Sequence, residues 1–442
     1  MSLAVGTLDS YGKMDAIFRE TRLNAPMQQL YETESPGITA AQGFSQKVKV
    51  GPKGLTQTFK TGQIGAMTFI VPGGDYPTGI ESRYEKTYIY LTESAASLEI
   101  DRFTMLALQQ GPEGDKDINF GQKVEDVVTM FAQDREAHFW GNGNGAVATT
   151  SGVTASTTTR IYFETVPNGT SPGLHYGAEF VRPLTKYDLI DEASPTSPVA
   201  TGIQFKEGFI VKDANPPYAD LTVALGGAPA AGLKLVPTGS YGLAFKGMAY
   251  MGRYPRPTYW QGIYSVGRPE WNGVYVDAGG REFSLAIRRR LQDKMTLRFG
   301  KPMTDGMYSW MHPAQETNWT NSGYGFIRLS APPESLDLEI KTGKYRGSIF
   351  EIFPKCDPDT IYVGKKSAHV YAYLDEPKWV KEDGQTMRIK RDSGGNGNNA
   401  SAFSMVYSAI DQFGVKEPTG LHCITNLGVG AGVTYGNMRL GT

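Results

Sequence analysis

Gly169-Thr170-Ser171-Pro172-Gly173 matches the G-x-S-x-G spacing of a nucleophile elbow, which would make Ser171 an acyl-transfer nucleophile. That chemistry needs the backbone N–H of the residue after the serine as an oxyanion donor. The residue here is Pro172, which has none, and neither a strand before nor a helix after is legible. The stretch reads as a surface turn. Gly141-Asn142-Gly143-Asn144-Gly145-Ala146 fits the G-x-G-x-x-A of a dinucleotide loop. Such a loop follows a strand and opens a helix whose N-terminus faces pyrophosphate. These glycines instead follow a helical pattern and lead into a Thr-rich segment. Gly428-Val429-Gly430-Ala431-Gly432 lies too near the C-terminus for a following helix and ribose-binding acid. Both are read as glycine turns.

Metal chemistry finds no better footing. His138, His175, His312, His369 and His422 are widely spaced, and neither Cys356 nor Cys423 belongs to a C-x-x-C pair. Adjacent His422 and Cys423 would point to opposite faces of a strand. Asp357-Pro358-Asp359 lacks the rest of a calcium loop and reads as a turn. Arg288-Arg289-Arg290 falls in a helical pattern, where it could touch phosphate or pair with another subunit, or simply form a solvated face. No catalytic residue, metal or cofactor is expected.

The elements that would position such residues come from a chain of 442 residues with 44 Lys+Arg against 45 Asp+Glu. A net charge of −1 excludes a wholly basic nucleic-acid binder and a polybasic membrane protein. Two cysteines cannot make a disulfide framework and fit reduced thiols in a cytosol. The N-terminus lacks a basic region ahead of an apolar one, and no run of 18 apolar residues occurs, so a soluble protein made inside the cell is expected. Glycine is rich, at 53 residues against a usual share of about 7%. With 24 Tyr, 20 Phe and 6 Trp available for a core, the glycines imply turns and bulges in a strand-rich chain.

Residues 1–45 read as an extended arm, because Pro26 interrupts the weak helical spacing of Met14, Ile17 and Phe18. From Ser45 to Leu91 the pattern is a β-ribbon, with Val48 and Val50 alternating with Lys47 and Lys49 ahead of a Gly51-Pro52-Lys53-Gly54 turn. Its apolar content is too thin for a domain, so it should pack on something outside itself. Gln122–Trp140 is the clearest helix, with Val124, Val127, Val128 and Phe131 at helical intervals and a glycine run to stop it. The stretch 147–159 favours loop or extended structure, and 161–276 is strand- and turn-rich. A second helix spans Arg281–Arg298, with Phe283, Ala286, Ile287, Leu291 and Met295 on one face and Arg288, Arg289, Arg290, Lys294 and Arg298 opposite. A shorter helix is read between Tyr308 and Trp319, and strands at 347–353, 360–363, 369–374 and 387–390. No internal repeat is found. The fold class is α+β, strand-dominated.

Arms and ribbons that cannot stabilise themselves lie on neighbouring subunits, which implies an extensive assembly. In this order of elements the chain resembles the HK97-like major capsid proteins of tailed bacteriophages. The ribbon of Ser45–Leu91 precedes the long helix as the extended loop precedes that family's spine helix. AHFWGNGNG, Ala137 to Gly145, is similar to the way the family closes that helix. TYWQGIYSVGRPEWNG, Thr258 to Gly273, resembles the stretch before the first helix of the axial domain, and the helix at Arg281–Arg298 follows it. Asp359-Thr360-Ile361-Tyr362-Val363 resembles the strand before the closing segment.

The resemblance implies an N-terminal arm at 1–45, an extended ribbon loop at 46–95 and a peripheral domain at 96–235 with its spine helix at about 122–140. The last of these has room for an insertion between 147 and 232. An axial domain at 236–375 and return strands to the peripheral domain at 376–442 complete it. It implies a virion shell subunit, assembled in the host cytoplasm as pentamers and hexamers around double-stranded DNA. Portal and scaffold proteins, and in some shells a decoration protein, would be partners, with no membrane. Lys47, Lys49, Phe59 and Phe69 would serve assembly through the ribbon, although both phenylalanines would equally suit packing within one subunit. Val124, Val127, Val128 and Phe131 would form the spine-helix core. Arg288, Arg289 and Arg290 would face DNA or another subunit. An encapsulin-type compartment and, less well, a tail-tube protein are the alternatives.

Overall fold

The computed structural model describes residues 25–60, 84–101, 113–164, 178, 180–183, 185–212, 214, 216–252, 254, 256–265, 272–300, 306–327, 344–345, 348–381, 386, 388–391 and 399–428. Its first layer is a five-stranded sheet centred on the 17-residue strand Asn399–Val415. That strand pairs antiparallel with His369–Trp379, Arg388–Arg391 and Thr92–Asp101. Gln46–Lys49 adds a parallel edge against His369–Trp379, with Val48 opposite Ala372.

The long helix, Glu113–Trp140, lies across this sheet. Val124, Val127, Val128 and Phe131 are buried with Ile100, Trp379, Met405, Tyr407 and Ala409. It begins nine residues before the expected start at Gln122, because its first turns are polar and carry no apolar face to read. Residues 25–44 are not an extended arm. They form two helices, Ala25–Glu34 and Pro36–Phe44, that pack on the long helix. Pro26 sits at the second position of the first and Pro36 at the first position of the second, where proline starts a helix instead of breaking it. The rest of the arm, residues 1–24, lies outside the described residues.

Residues 148–237 form a module with its own core. The strands Ala148–Thr149, Lys234–Pro237, Tyr187–Ile190 and Ala200–Ile203 make one sheet, and Arg160–Tyr162, Tyr218–Leu221 and Phe205–Val211 another. Ile161, Phe163, Leu189, Phe205, Ala219 and Leu235 are buried between them. The chain enters and leaves by paired strands, Leu235 standing opposite Ala148.

The second layer is a six-stranded sheet in the order Tyr275–Asp277, Leu421–Thr425, Ile361–Lys365, Met307–Met311, Ser348–Ile352, Lys344–Tyr345. The helices Leu285–Phe299 and Pro313–Ile327 flank it, with Phe283, Ile287, Leu291 and Met295 buried against Val276, Ile361, Val363 and Ile424. Several expectations change here. Met307–Met311 is a strand with every residue buried, and the shorter helix begins only at Pro313. Ala286 is exposed. Leu421–Thr425 belongs to this sheet, as does Ile361–Lys365, while His369–Trp379 belongs to the first, so the chain passes between layers at 366–368. Phe139, Trp140, Trp310, Tyr362, Tyr371 and Phe413 fill the junction of the two layers.

Candidate assembly surfaces

A buried carboxylate ties the second of the two N-terminal helices to the long helix. Glu136, on the long helix and 1% exposed, accepts the backbone N–H groups of Gly37 at 2.9 Å and Ile38 at 3.0 Å, and the indole N–H of Trp140 at 3.0 Å. A helix N-terminus leaves its first N–H groups unpaired, and a negative charge there is favourable. Burial pushes the Glu136 carboxyl above its ordinary range, and these donors draw it back. At the neighbouring position, Arg135 Nη2 donates to both carboxylate oxygens of Asp411 on the central strand, each at 2.7 Å. The guanidinium is enclosed by the rings of Tyr31, Phe131 and Phe245 at 5.3 to 5.9 Å. The long helix thus fastens the arm on one side and the sheet on the other.

The ribbon stem is the hairpin of Leu55–Lys60 with Tyr84–Ile89, in register from Leu55 opposite Ile89 to Lys60 opposite Tyr84. Lys47 and Lys49 precede this stem, exposed on the edge strand of the first sheet and not in the ribbon. Phe59 is half-buried and packs against the aromatic junction of its own chain. Phe69 lies outside the described residues. Tyr90 is 66% exposed beside the ribbon root, and Tyr84 is 63% exposed at the far end of the stem.

A small hairpin, Tyr259–Trp260 with Ile263–Tyr264, grips that root. Its turn residues Gln261 and Gly262 have φ of 48° and 80°, the left-handed pair required by a two-residue hairpin. Gln261 carries this conformation without being glycine. Its carbonyl accepts the Tyr88 N–H at 3.0 Å, and its own N–H donates to the Tyr250 hydroxyl at 2.9 Å. Sequence reading had no signal for this grip, since Gln-Gly is not among the strong turn pairs.

The arginine run does not act as a unit. Arg288 is 2% exposed and donates to Ser309 Oγ at 3.3 Å, while Arg289 and Arg290 are exposed. The expected polar face is interrupted because Arg288 sits one residue after Ile287 and shares its inward side. His422 and Cys423 are both buried, and His422 Nδ1 accepts the Val274 N–H at 3.0 Å. Cys356 and Cys423 are free thiols. Among the described residues no group of His, Cys, Asp and Glu could hold a metal, and no helix is long and apolar enough to cross a membrane. The serine turn at Gly169–Gly173 lies outside the described residues.

No family model matches the sequence, and no curated protein matches it. Solved structures do. A chain of the cyanophage A-1(L) capsid asymmetric unit superposes with a TM-score of 0.50 at 11% identity, over 89% of this chain and 93% of that one. The capsid of a native GTA particle matches with a TM-score of 0.38 at 11% identity, over 89% and 90% of the two chains. The mature capsid of bacteriophage PhiM1 matches with a TM-score of 0.39 at 9% identity, over 88% and 86%. The fold assignment rests on the first of these, which covers nearly the whole of both chains: this chain has a mixed α+β fold that matches HK97-like capsid proteins.

Proposed function

We propose that the chain is the major shell subunit of a tailed phage, a structural protein without catalytic activity. Copies associate as pentamers and hexamers into an icosahedral virion shell that encloses double-stranded DNA and assembles in the host cytoplasm. The observation that carries this reading is the ribbon stem standing ahead of the long helix within a fold shared, over 89% of the chain, with a cyanophage capsid chain. The first sheet and long helix serve as the peripheral domain, and the second sheet with its two helices as the axial domain. The ribbon, with Phe69 beyond its described stem, lies on a neighbouring subunit. Lys47 and Lys49 contribute from the sheet edge, and Phe59 anchors the stem to its own subunit. Exposed Arg289 and Arg290 supply weak, sequence-independent contact to DNA or to a neighbour. Portal and scaffold proteins, and in some shells a decoration protein, complete the assembly.

The test is negative-stain electron microscopy of the purified protein with its sedimentation profile. Closed polyhedral shells, or rings of five and six, are expected. DNA in phage-derived particles supports this reading, while enclosed cargo protein would favour an encapsulin-type compartment and tubes a tail protein. A compact monomer that persists with co-expressed phage partners overturns it.

A further inference from the structure

Among the described residues, Gln261 and Asn426 are the non-glycines with left-handed backbone. Asparagine visits that region readily, but glutamine does so at a cost that its surroundings must hold. At Gln261 both the main chain and the side chain are engaged. The residue is 6% exposed, and beyond its main-chain bonds to Tyr88 and Tyr250 its amide meets the end of the central strand. Oriented so that both of its atoms are paired, the amide accepts the Val415 N–H at Oε1, 2.8 Å away, and donates from Nε2 to the Val415 carbonyl at 3.2 Å. It thereby imitates a neighbouring strand. It does so past Asp411, where the pairing of Thr92–Asp101 with the central strand stops.

The ribbon reaches the same place. Ile89, the last residue of the stem and 3% exposed, lies against Gly414, where a Cβ would come 2.1 Å from Ile89 Cδ1. Tyr88 beside it donates to the Gln261 carbonyl, and a Cβ on Gly262 would lie 3.3 Å from its ring. The ribbon root thus touches the strand end at Gly414, and Gln261 binds the neighbours of that contact, Tyr88 on the ribbon and Val415 on the strand. We propose that Gln261 is a latch that couples the two, so that ribbon root and strand end are held together or released together. Asparagine would fit the turn with less strain, but its amide is one methylene shorter. The pairing with Val415 therefore accounts for a glutamine in a conformation that does not favour it. In the shell reading the latch fixes the direction in which the ribbon leaves its subunit. That consequence rests on the shell reading, whereas the coupling itself does not.

The test is Gln261→Asn, which keeps the left-handed turn, and with it the carbonyl that holds Tyr88, but draws the amide back from Val415. Hydrogen exchange of the full chain, resolved to single amides by mass spectrometry, reads both ends of the latch. The Tyr88 and Val415 amides are expected to exchange faster together, each by about tenfold, the scale of ordinary hydrogen bonds lost in a local opening. Met405 and Ala409, in the middle of the central strand, should keep their rates. Acceleration at one of the two amides without the other overturns the latch, and so does a change that Met405 and Ala409 share. Coupling is reciprocal. Ile89→Ala loosens the ribbon side without altering Gln261, and Val415 should again exchange faster; an unchanged Val415 rate counts against the latch. Both measurements are made on subunits that need not close into shells. Failure to assemble would therefore overturn the shell reading and leave the latch standing.

Discussion

Gly37 lies so close under Glu136 that a methyl group on its α-carbon would sit 2.5 Å from the carboxylate oxygen and 2.8 Å from the Trp140 ring. The first turn of the arm helix can therefore reach the long helix only with a hydrogen at this position. Gly37→Ala should push the arm away and strip Glu136 of two donors. Overpacking of this kind costs about 1–3 kcal/mol. Urea unfolding should show that loss, and limited proteolysis should cut first within 25–44. An unchanged midpoint and cleavage pattern would mean that the arm is held elsewhere.

The two sides of the arginine run predict opposite phenotypes. Arg288→Met removes the buried donor to Ser309 Oγ, so a loss of about 1–3 kcal/mol in subunit stability is expected. Arg289→Gln with Arg290→Gln changes only exposed groups and should stay within about 0.5 kcal/mol. If the exposed pair contacts DNA, the double variant should fold normally and package less of it. Equal stability loss in both variants would contradict the burial of Arg288.

Three histidines set an acid limit. Burial pushes His312 down to about 4 and His369 and His422 down to about 3; Arg288, Arg298, Arg256 and Lys365 also oppose a charge on His422. Their acceptor nitrogens are occupied, His312 Nδ1 by the Ala314 N–H at 3.1 Å and His422 Nδ1 by the Val274 N–H. The unfolded chain binds these protons near pH 6.5 and the folded chain does not. Their stabilising contribution is therefore complete above pH 6.5 and is lost as the pH falls towards 3–4, by up to about 1.4 kcal/mol per pH unit for each histidine. Glu136 and Asp134, raised by burial, act in the opposite sense and gain a proton first in the folded state. Comparing His422→Gln with the wild type between pH 7.5 and 4.5 isolates one histidine. The variant should melt with a shallower pH slope, and parallel curves would remove His422 from the account.

What the sequence concealed follows from particular residues. The face Val124, Val127, Val128, Phe131 was plain because all four are apolar at helical spacing and all four are buried. Asn399–Val415 went unread although Met405, Tyr407, Ala409, Phe413 and Val415 alternate inward. Asp411 breaks the alternation, and it is tolerated there because Arg135, far away in sequence, and the Tyr371 hydroxyl both donate to it. The helices at 25–44 were missed because a proline at the start of a helix looks the same in sequence as one that ends it. Leu421–Thr425, buried throughout, lacks the alternation of a half-exposed strand and so said nothing of which sheet would take it. The ribbon was recognisable by its thin apolar content, but Lys47 and Lys49 were placed in it because only five residues separate the edge strand from the stem.

The ribbon gives the most direct test of assembly. The stem pairs Leu55–Lys60 with Tyr84–Ile89, and the body grips it through Gln261 at Tyr88. Replacing residues 61–83 with an Asn-Gly turn closes the hairpin in a two-residue geometry that its twist favours. The shortened subunit should keep the parent's circular dichroism and melt within a few degrees of it. It should also sediment as subunits or small rings and not as closed shells, because the segment proposed to lie on the next subunit is gone. Closed shells of normal yield would show that the ribbon does not bridge subunits. A subunit that no longer folds would place residues 61–83 in the core of its own chain, and Gln261→Val, whose β-branched side chain disfavours the left-handed turn that presents the gripping carbonyl, would then separate the two roles. With the ribbon intact but loosely held, shells should form slowly and be heterogeneous, while the isolated subunit loses little stability.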